Sequence, residues 1–172
     1  MEHIPQKNKN GKRLSLVFLI AACVGLVGAS VLDVQYRVFY QLIALSVAAI
    51  SFEIVNRYYF STYIYTVNEK DFIITKRTGK KSQTVCNLSL STMLAIEKKP
   101  QNKKARAEFT KRFGKINIHY NYCQSLFPAQ SYVILFEFNG KTAAIAFEPN
   151  EAMVCRLNEI LHKRNETNED DF

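Results

Sequence analysis

No tryptophan occurs among the 172 residues, and glycine, proline and histidine number only six, four and three. Each shortage excludes something. So little glycine and proline rules out a collagen-like or low-complexity chain. The four cysteines, Cys23, Cys86, Cys123 and Cys155, lie far apart with no C-x-x-C pair. Neither a disulfide framework nor a zinc site is expected from them, and all four read as reduced packing residues. His3, His119 and His162 stand at no ligand spacing from a cysteine, which argues against a metal centre. No G-x-S-x-G, H-E-x-x-H, P-loop or paired-carboxylate arrangement is present, and the histidines do not converge with a nucleophile. Catalysis is therefore not expected, and neither is a cofactor. Cys123, in the polar stretch 121–130, is the only thiol with a plausible exposed position.

Long uncharged runs are what the chain has instead. Residues 14–32 (LSLVFLIAACVGLVGASVL) and 38–52 (VFYQLIALSVAAISF) are separated only by Asp33, Val34, Gln35, Tyr36 and Arg37. As a helix the first run spans roughly 28 Å at 1.5 Å per residue, close to the ~30 Å hydrocarbon core of a bilayer. The second reaches that length with Glu53, Ile54 and Val55. So short a connection leaves an antiparallel transmembrane hairpin over 14–55, with spans 14–32 and 38–55. A basic arm before an apolar run also opens a signal peptide, with Ala29 near a cleavage site. The run is longer than a typical apolar core of such a peptide, and a second span follows at once.

Charge sets the direction of the hairpin. Lys7, Lys9, Lys12 and Arg13 precede the first span, whereas the turn offers Arg37 against Asp33. The positive-inside rule then places the arm, residues 1–13, and everything after the hairpin in the cytoplasm, giving a multi-pass cell-membrane protein with both termini inside. Tyr36, Phe39 and Tyr40 at one end, and Tyr58, Tyr59 and Phe60 at the other, have the character of interfacial aromatic belts. On the first span Ala21, Gly25 and Ala29 recur every four residues, a face that allows close helix packing against the second span or another subunit.

The roughly 115 residues from Asn56 onward suffice for one compact domain and not two. β-Branched and aromatic residues mark strands at 63–67, 72–77, 83–86, 93–97, 115–120, 132–136 and 142–147. In the fifth, Ile116, Ile118 and Tyr120 share one face and Asn117 and His119 the other, so His119 is expected to face solvent. Asn139-Gly140 between the last two is the strongest hairpin signal in the chain. Asn150 can cap a final helix whose Met153, Val154, Leu157, Ile160 and Leu161 form one apolar stripe. The domain is expected over 56–164, with 165–172 a disordered acidic tail.

About seven antiparallel strands closed by a C-terminal helix is the order of a pleckstrin-homology-like barrel. The chain resembles the membrane-anchored bacterial PH-like domain proteins in the stretch Tyr65-Thr66-Val67-Asn68-Glu69-Lys70-Asp71-Phe72-Ile73-Ile74. The turn at Gly79 with the Leu88-Ser89-Leu90 step, and the ending Phe147-Glu148-Pro149-Asn150-Glu151, carry the rest of the resemblance. It covers about two-thirds of the chain, and it implies two strongly bent sheets with the helix plugging one end, a scaffold for binding and not for a shared chemistry. In phosphoinositide-binding PH domains a basic cluster lies on the first two strands and their loop. Here that loop, Asn68 to Asp71, is net acidic, and the cations Lys76, Arg77, Lys80 and Lys81 flank the following turn instead.

One segment is strongly basic. Lys98, Lys99, Lys103, Lys104, Arg106, Lys111, Arg112 and Lys115 face a single acid, Glu108. Near an anionic leaflet each cation contributes roughly 1 kcal/mol. If 104–115 forms a short helix, Phe109 and Phe113 at i, i+4 would enter the headgroup boundary. The competing reading is a solvated loop that keeps the domain soluble. The expected partners are the membrane itself, a protein partner or second copy, and anionic lipid. A nucleic acid is not expected, because the tethered basic segment lacks a recognition helix or an aromatic RNA-binding motif, and neither is a small-molecule substrate. Two functions follow. One is a non-catalytic membrane-anchored PH-like module; the other is an accessory subunit of a membrane transport or secretion assembly, with its specificity in the hairpin.

Overall fold

A computed structural model of the chain describes residues 1–6, 9–31, 37–126, 128 and 130–169. The predicted turn residues Asp33 to Tyr36, and Lys7 of the arm, lie outside the described residues. Two compact units emerge, Gln6–Thr62 and a second made of Met1–Pro5 with Tyr63–Phe172.

In the first unit, α1 (Lys9–Val31) and α2 (Arg37–Val55) pack on one another, and a single π-type turn follows at Asn56–Phe60. The stretches Gly11–Val31 and Arg37–Phe60 are both long and apolar enough to cross a membrane. Among the buried or half-buried positions, Ser15, Leu19, Ala22, Leu26 and Ala29 on α1 and Gln41, Ala44, Ala48, Ser51 and Val55 on α2 form one row on each helix, with Gly11, Lys12, Gly28 and Ile54 beside them. Steps of four and three residues make this a heptad-type seam. Ser51 Oγ donates to Val47 O at 2.7 Å and lies 3.5 Å from Phe18 O. The remaining apolar surface is bare: Val17, Val24, Leu45 and Phe52 are each more than half exposed. At one end Lys12 Nζ stands 6.0 Å over the Tyr59 ring.

The second unit is a two-sheet sandwich. Strands β1 (Glu2–His3), β2 (Ser61–Val67), β3 (Asp71–Thr78) and β4 (Lys81–Ser89) form one sheet in that order. The other has the order β5-β7-β8-β6, from β5 (Met93–Lys98), β6 (Ile118–Asn121), β7 (Tyr132–Phe138) and β8 (Lys141–Phe147). The core takes Tyr65, Val67, Phe72 and Ile74 from the first sheet, and Met93, Ile134, Ile145 and Phe147 from the second. Met153 and Leu157 of α4 (Glu151–Glu169) close it. Burying one such side chain contributes about 1.5–3 kcal/mol. The hairpin between β7 and β8 turns at Asn139 and Gly140, both with positive φ (51° and 69°), the geometry that favours Asn-Gly. Asn150 Oδ1 accepts from Met153 N at 2.9 Å and caps α4, and Arg164 Nη1 donates to Leu90 O and Ser91 O.

Each of the seven predicted strands has a counterpart here, but the assembly differs from the expected one. Two four-stranded sheets replace a closed barrel, and β6 runs parallel to β8, with Ile118 opposite Ala143 and Asn121 opposite Ala146, so the strands are not all antiparallel. The predicted arm over 1–13 is divided, because α1 begins at Lys9 while Glu2–His3 supplies an eighth strand. Met1 N donates to Val67 O at 2.7 Å and Val67 N to Met1 O at 2.8 Å. The tail predicted to be disordered from 165 continues α4 to Glu169, since neither glycine nor proline interrupts it; residues 170–172 lie outside the described residues.

His3 packs 6.2 Å from the Tyr65 ring, and burial holds its imidazole below the ordinary 6.5. The detached strand therefore takes a proton more readily than the paired one, so the stabilisation from neutral His3 is present above pH 6.5 and lost as pH falls below it. Acidification from pH 7.5 to 5 is expected to weaken β1, read as faster hydrogen exchange of the Val67 amide relative to that of Ile134 in β7.

Candidate functional site

The basic segment folds as helix α3, Lys103–Phe113. Asn102 Oδ1 accepts from Ala105 N at 2.7 Å and caps its start, while Gly114, at φ 75°, ends it and donates its N–H to Thr110 O. Asn102→Ala is expected to cost about 1 kcal/mol of local stability, visible as faster amide exchange across α3.

The phenylalanines of α3 point at protein. The Phe109 and Phe113 rings, 5.0 Å apart, pack with Ala95 and Ile116 on the outer face of the second sheet, against Cys123, Val133, Leu135, Ala144 and Ala146. That corrects the expectation that both rings enter a headgroup layer: an i, i+4 apolar pair takes whichever apolar surface is nearest, and the back of β7 and β8 supplies it. The same packing turns the cations outward. Lys98, Lys103, Lys104, Arg106, Lys111, Arg112 and Lys115 are exposed and Lys99 is half-buried. Arg112 Nη1 pairs with Glu97 Oε1 at 2.7 Å, and its guanidinium carbon lies 4.9 Å from the centre of the Phe113 ring. With 70% of the Arg112 side chain exposed, the pair adds only about 0–1 kcal/mol.

Helix α3 covers only part of that outer face. Between it and β6 a cleft of about 460 Å³ remains, within the 300–1,000 Å³ range of small-ligand sites. Its floor is Val133, Ala144 and Ala146; Arg106, Phe109 and Thr110 form the α3 wall, and His119, Tyr120 and Asn121 the β6 wall. Lys99-Pro100 and Lys115-Ile116 complete the lining. Four bases and no acid surround it. Of the predicted lipid-contact residues, the cleft brings together Lys99, Arg106, Phe109 and Lys115, and leaves out Lys98, Lys103, Lys104, Lys111, Arg112 and Phe113. The β6 wall and the alanine floor escaped sequence reasoning. Their only signal was a pair of alanines alternating in a strand, where alanine is depleted.

A buried polar knot holds the β6 side in place. Tyr65 OH donates to Tyr122 O at 2.8 Å and accepts from Glu148 N at 3.4 Å. Gln124 Oε1 accepts from Tyr63 N at 3.0 Å, and Glu148 Oε1 from Ser125 N at 2.9 Å. Burial drives the Tyr65 phenol far above its ordinary value, so it stays protonated and keeps donating. Tyr65→Phe is expected to destabilise this unit by about 1–3 kcal/mol, because Tyr122 O loses its donor in a buried setting; a thermal melt in neutral detergent measures it. The knot also draws Cys123 to 0% exposure, against its expected exposure. The exposed thiols are Cys23 and Cys155, so neither is a packing residue. Burial raises the Cys86 thiol. Among the described residues no group of three His, Cys, Asp or Glu gathers as for a metal.

On α1, Ala21 and Gly25 are exposed and Ala29 is half-buried. A four-residue row advances about 40° around a helix per step, so it leaves the α1–α2 seam, and a Cβ added at Gly25 meets no atom within 4 Å. These residues border an apolar groove of about 590 Å³ with Tyr40, Ile43 and Val47.

Compared with known protein families, curated proteins and solved structures, the chain matches none.

Proposed function

We propose that this chain is a non-catalytic, membrane-anchored binding module of PH-like descent, whose basic helix α3 engages anionic lipid at the cytoplasmic leaflet. The observation that carries the reading is the orientation of α3: Phe109 and Phe113 are spent on the second sheet, and its cations are left facing outward. Two apolar helices bare over most of their surface call for a cover that a bilayer provides. The pairing of Glu2–His3 with β2 supports a hairpin whose two flanks share one side, and the cations ahead of the apolar run, Lys7, Lys9, Lys12 and Arg13, favour the cytoplasmic one. Element order and the closing helix support PH-like descent, from which the parallel β6–β8 pair departs.

The test uses the full chain, because a fragment starting at Asn56 would lose β1. In nanodiscs containing phosphatidylglycerol, α3 amides are expected to exchange more slowly than in phosphatidylcholine discs. The protection should fade with added salt and vanish when Lys103, Lys104 and Lys111 become Ser. Equal exchange in both discs would sink the reading.

A further inference from the structure

We propose that the cleft between α3 and β6 is a discrete site for one anionic amphiphile: a single phosphate group held by Arg106, Lys115 and Lys99, with its apolar stem lying on Ala144, Ala146 and Val133. This rests on the lipid-contact reading above, and it commits to a lipid of the surrounding bilayer as the source.

The cavity exists for a specific reason. On β8 the inward positions are filled by Ile145 and Phe147, but the outward ones are alanine, at 2% and 8% exposure. A β-branched residue at either outward place would reach into the space between Phe109 and His119. The two alanines thus leave a dry floor beneath a charged mouth. Arg106, Lys115 and Lys99 line it without any acidic residue, so their mutual repulsion falls when an anion enters. Arginine suits phosphate through paired, charge-assisted hydrogen bonds, and Tyr120 and Asn121 add neutral donors. The size excludes the larger candidates. About 460 Å³ takes a headgroup and the first carbons of its chains, but not a folded partner. A bare inorganic phosphate would leave most of that volume empty.

Surface attraction and cleft occupancy depend on different residues, which makes them separable. Lys103, Lys104 and Lys111 do not line the cleft; Arg106 and Lys115 do. Full-length protein is placed in phosphatidylcholine discs doped with phosphatidic acid, and the phosphatidic acid retained per protein is counted by native mass spectrometry. Hydrogen exchange over 115–121 is followed in the same discs. One tightly retained lipid, with slower exchange over β6, is expected. Retention should drop at least about tenfold in Arg106→Gln/Lys115→Gln, since charge-assisted hydrogen bonds are lost. It should drop as far in Ala146→Leu, which fills the floor and keeps every charge. Lys103→Ser/Lys104→Ser/Lys111→Ser should keep that lipid and lose only the salt-sensitive protection of α3. Retention unchanged in the Arg106/Lys115 variant, whose positions are exposed and carry no fold, overturns the proposal. Equal protection by dissolved phenyl phosphate or inorganic phosphate in phosphatidylcholine discs overturns the bilayer as source. A retained lipid without α3 protection overturns the surface reading alone; α3 protection without a retained lipid overturns the cleft alone.

Discussion

Aspartate at Ile20 in α1 or at Leu45 in α2 is expected to disfavour membrane insertion by about 2.5–3.5 kcal/mol each, the cost of a charge at mid-bilayer. The double variant should therefore lose nearly all of its alkali-resistant membrane fraction. Both positions lie near the middle of their helices and are exposed, by 56% and 59%, so neither change disturbs the Ser15–Ala29 seam. If the two helices instead faced water, the same substitutions would be close to neutral, within about 0.5 kcal/mol, as at ordinary exposed sites, and would improve solubility. The sign of the effect is what discriminates. A double variant that stays in the membrane fraction, or becomes a soluble folded protein, removes the bilayer from the account of this chain.

Local chemistry made much of the fold legible. Asn139-Gly140 fixed a hairpin because few other pairs adopt two positive φ values cheaply, and Asn150 with the Met153–Leu161 stripe marked α4 by cap and period. What escaped was non-local. The single face expected for Ile116, Ile118 and Tyr120 is split, with Ile118 against the core, Ile116 under α3 and Tyr120 exposed, and no local pattern says that β6 runs parallel to β8. Glu2–His3 is too short, and too close to Pro5, to carry a period. Cys123, Gln124 and Ser125 read as polar loop, yet hydrogen bonds to β2 and Glu148 allow them to be buried. The cleft was half legible. Its cations stood out as a run, whereas its floor depends on which face of β8 lies under α3.

Phe147→Ala is expected to cost about 3–5 kcal/mol, as large-to-small changes at buried aromatic sites do, against a total of about 5–15 kcal/mol for an ordinary domain. The ring is fully buried and meets Tyr65 edge-on at 5.5 Å and Phe72 at 5.1 Å, contacts that add about 0.5–1.5 kcal/mol each beyond their area. Phe138→Ala, on a side chain 46% exposed, should change stability far less; the near-ultraviolet dichroism of the tyrosines during a thermal melt reads both. The two faces of β8 then part company. Phe147 looks into the sandwich and Ala146 into the cleft, one residue away on the same strand. Phe147→Ala should lower the melting temperature and lose lipid only where the unit has unfolded. Ala146→Leu should lose lipid while the sandwich remains folded. If Ala146→Leu instead collapses the melt as Phe147→Ala does, the outer alanines serve packing under α3, and the space above them is a by-product of how that helix docks.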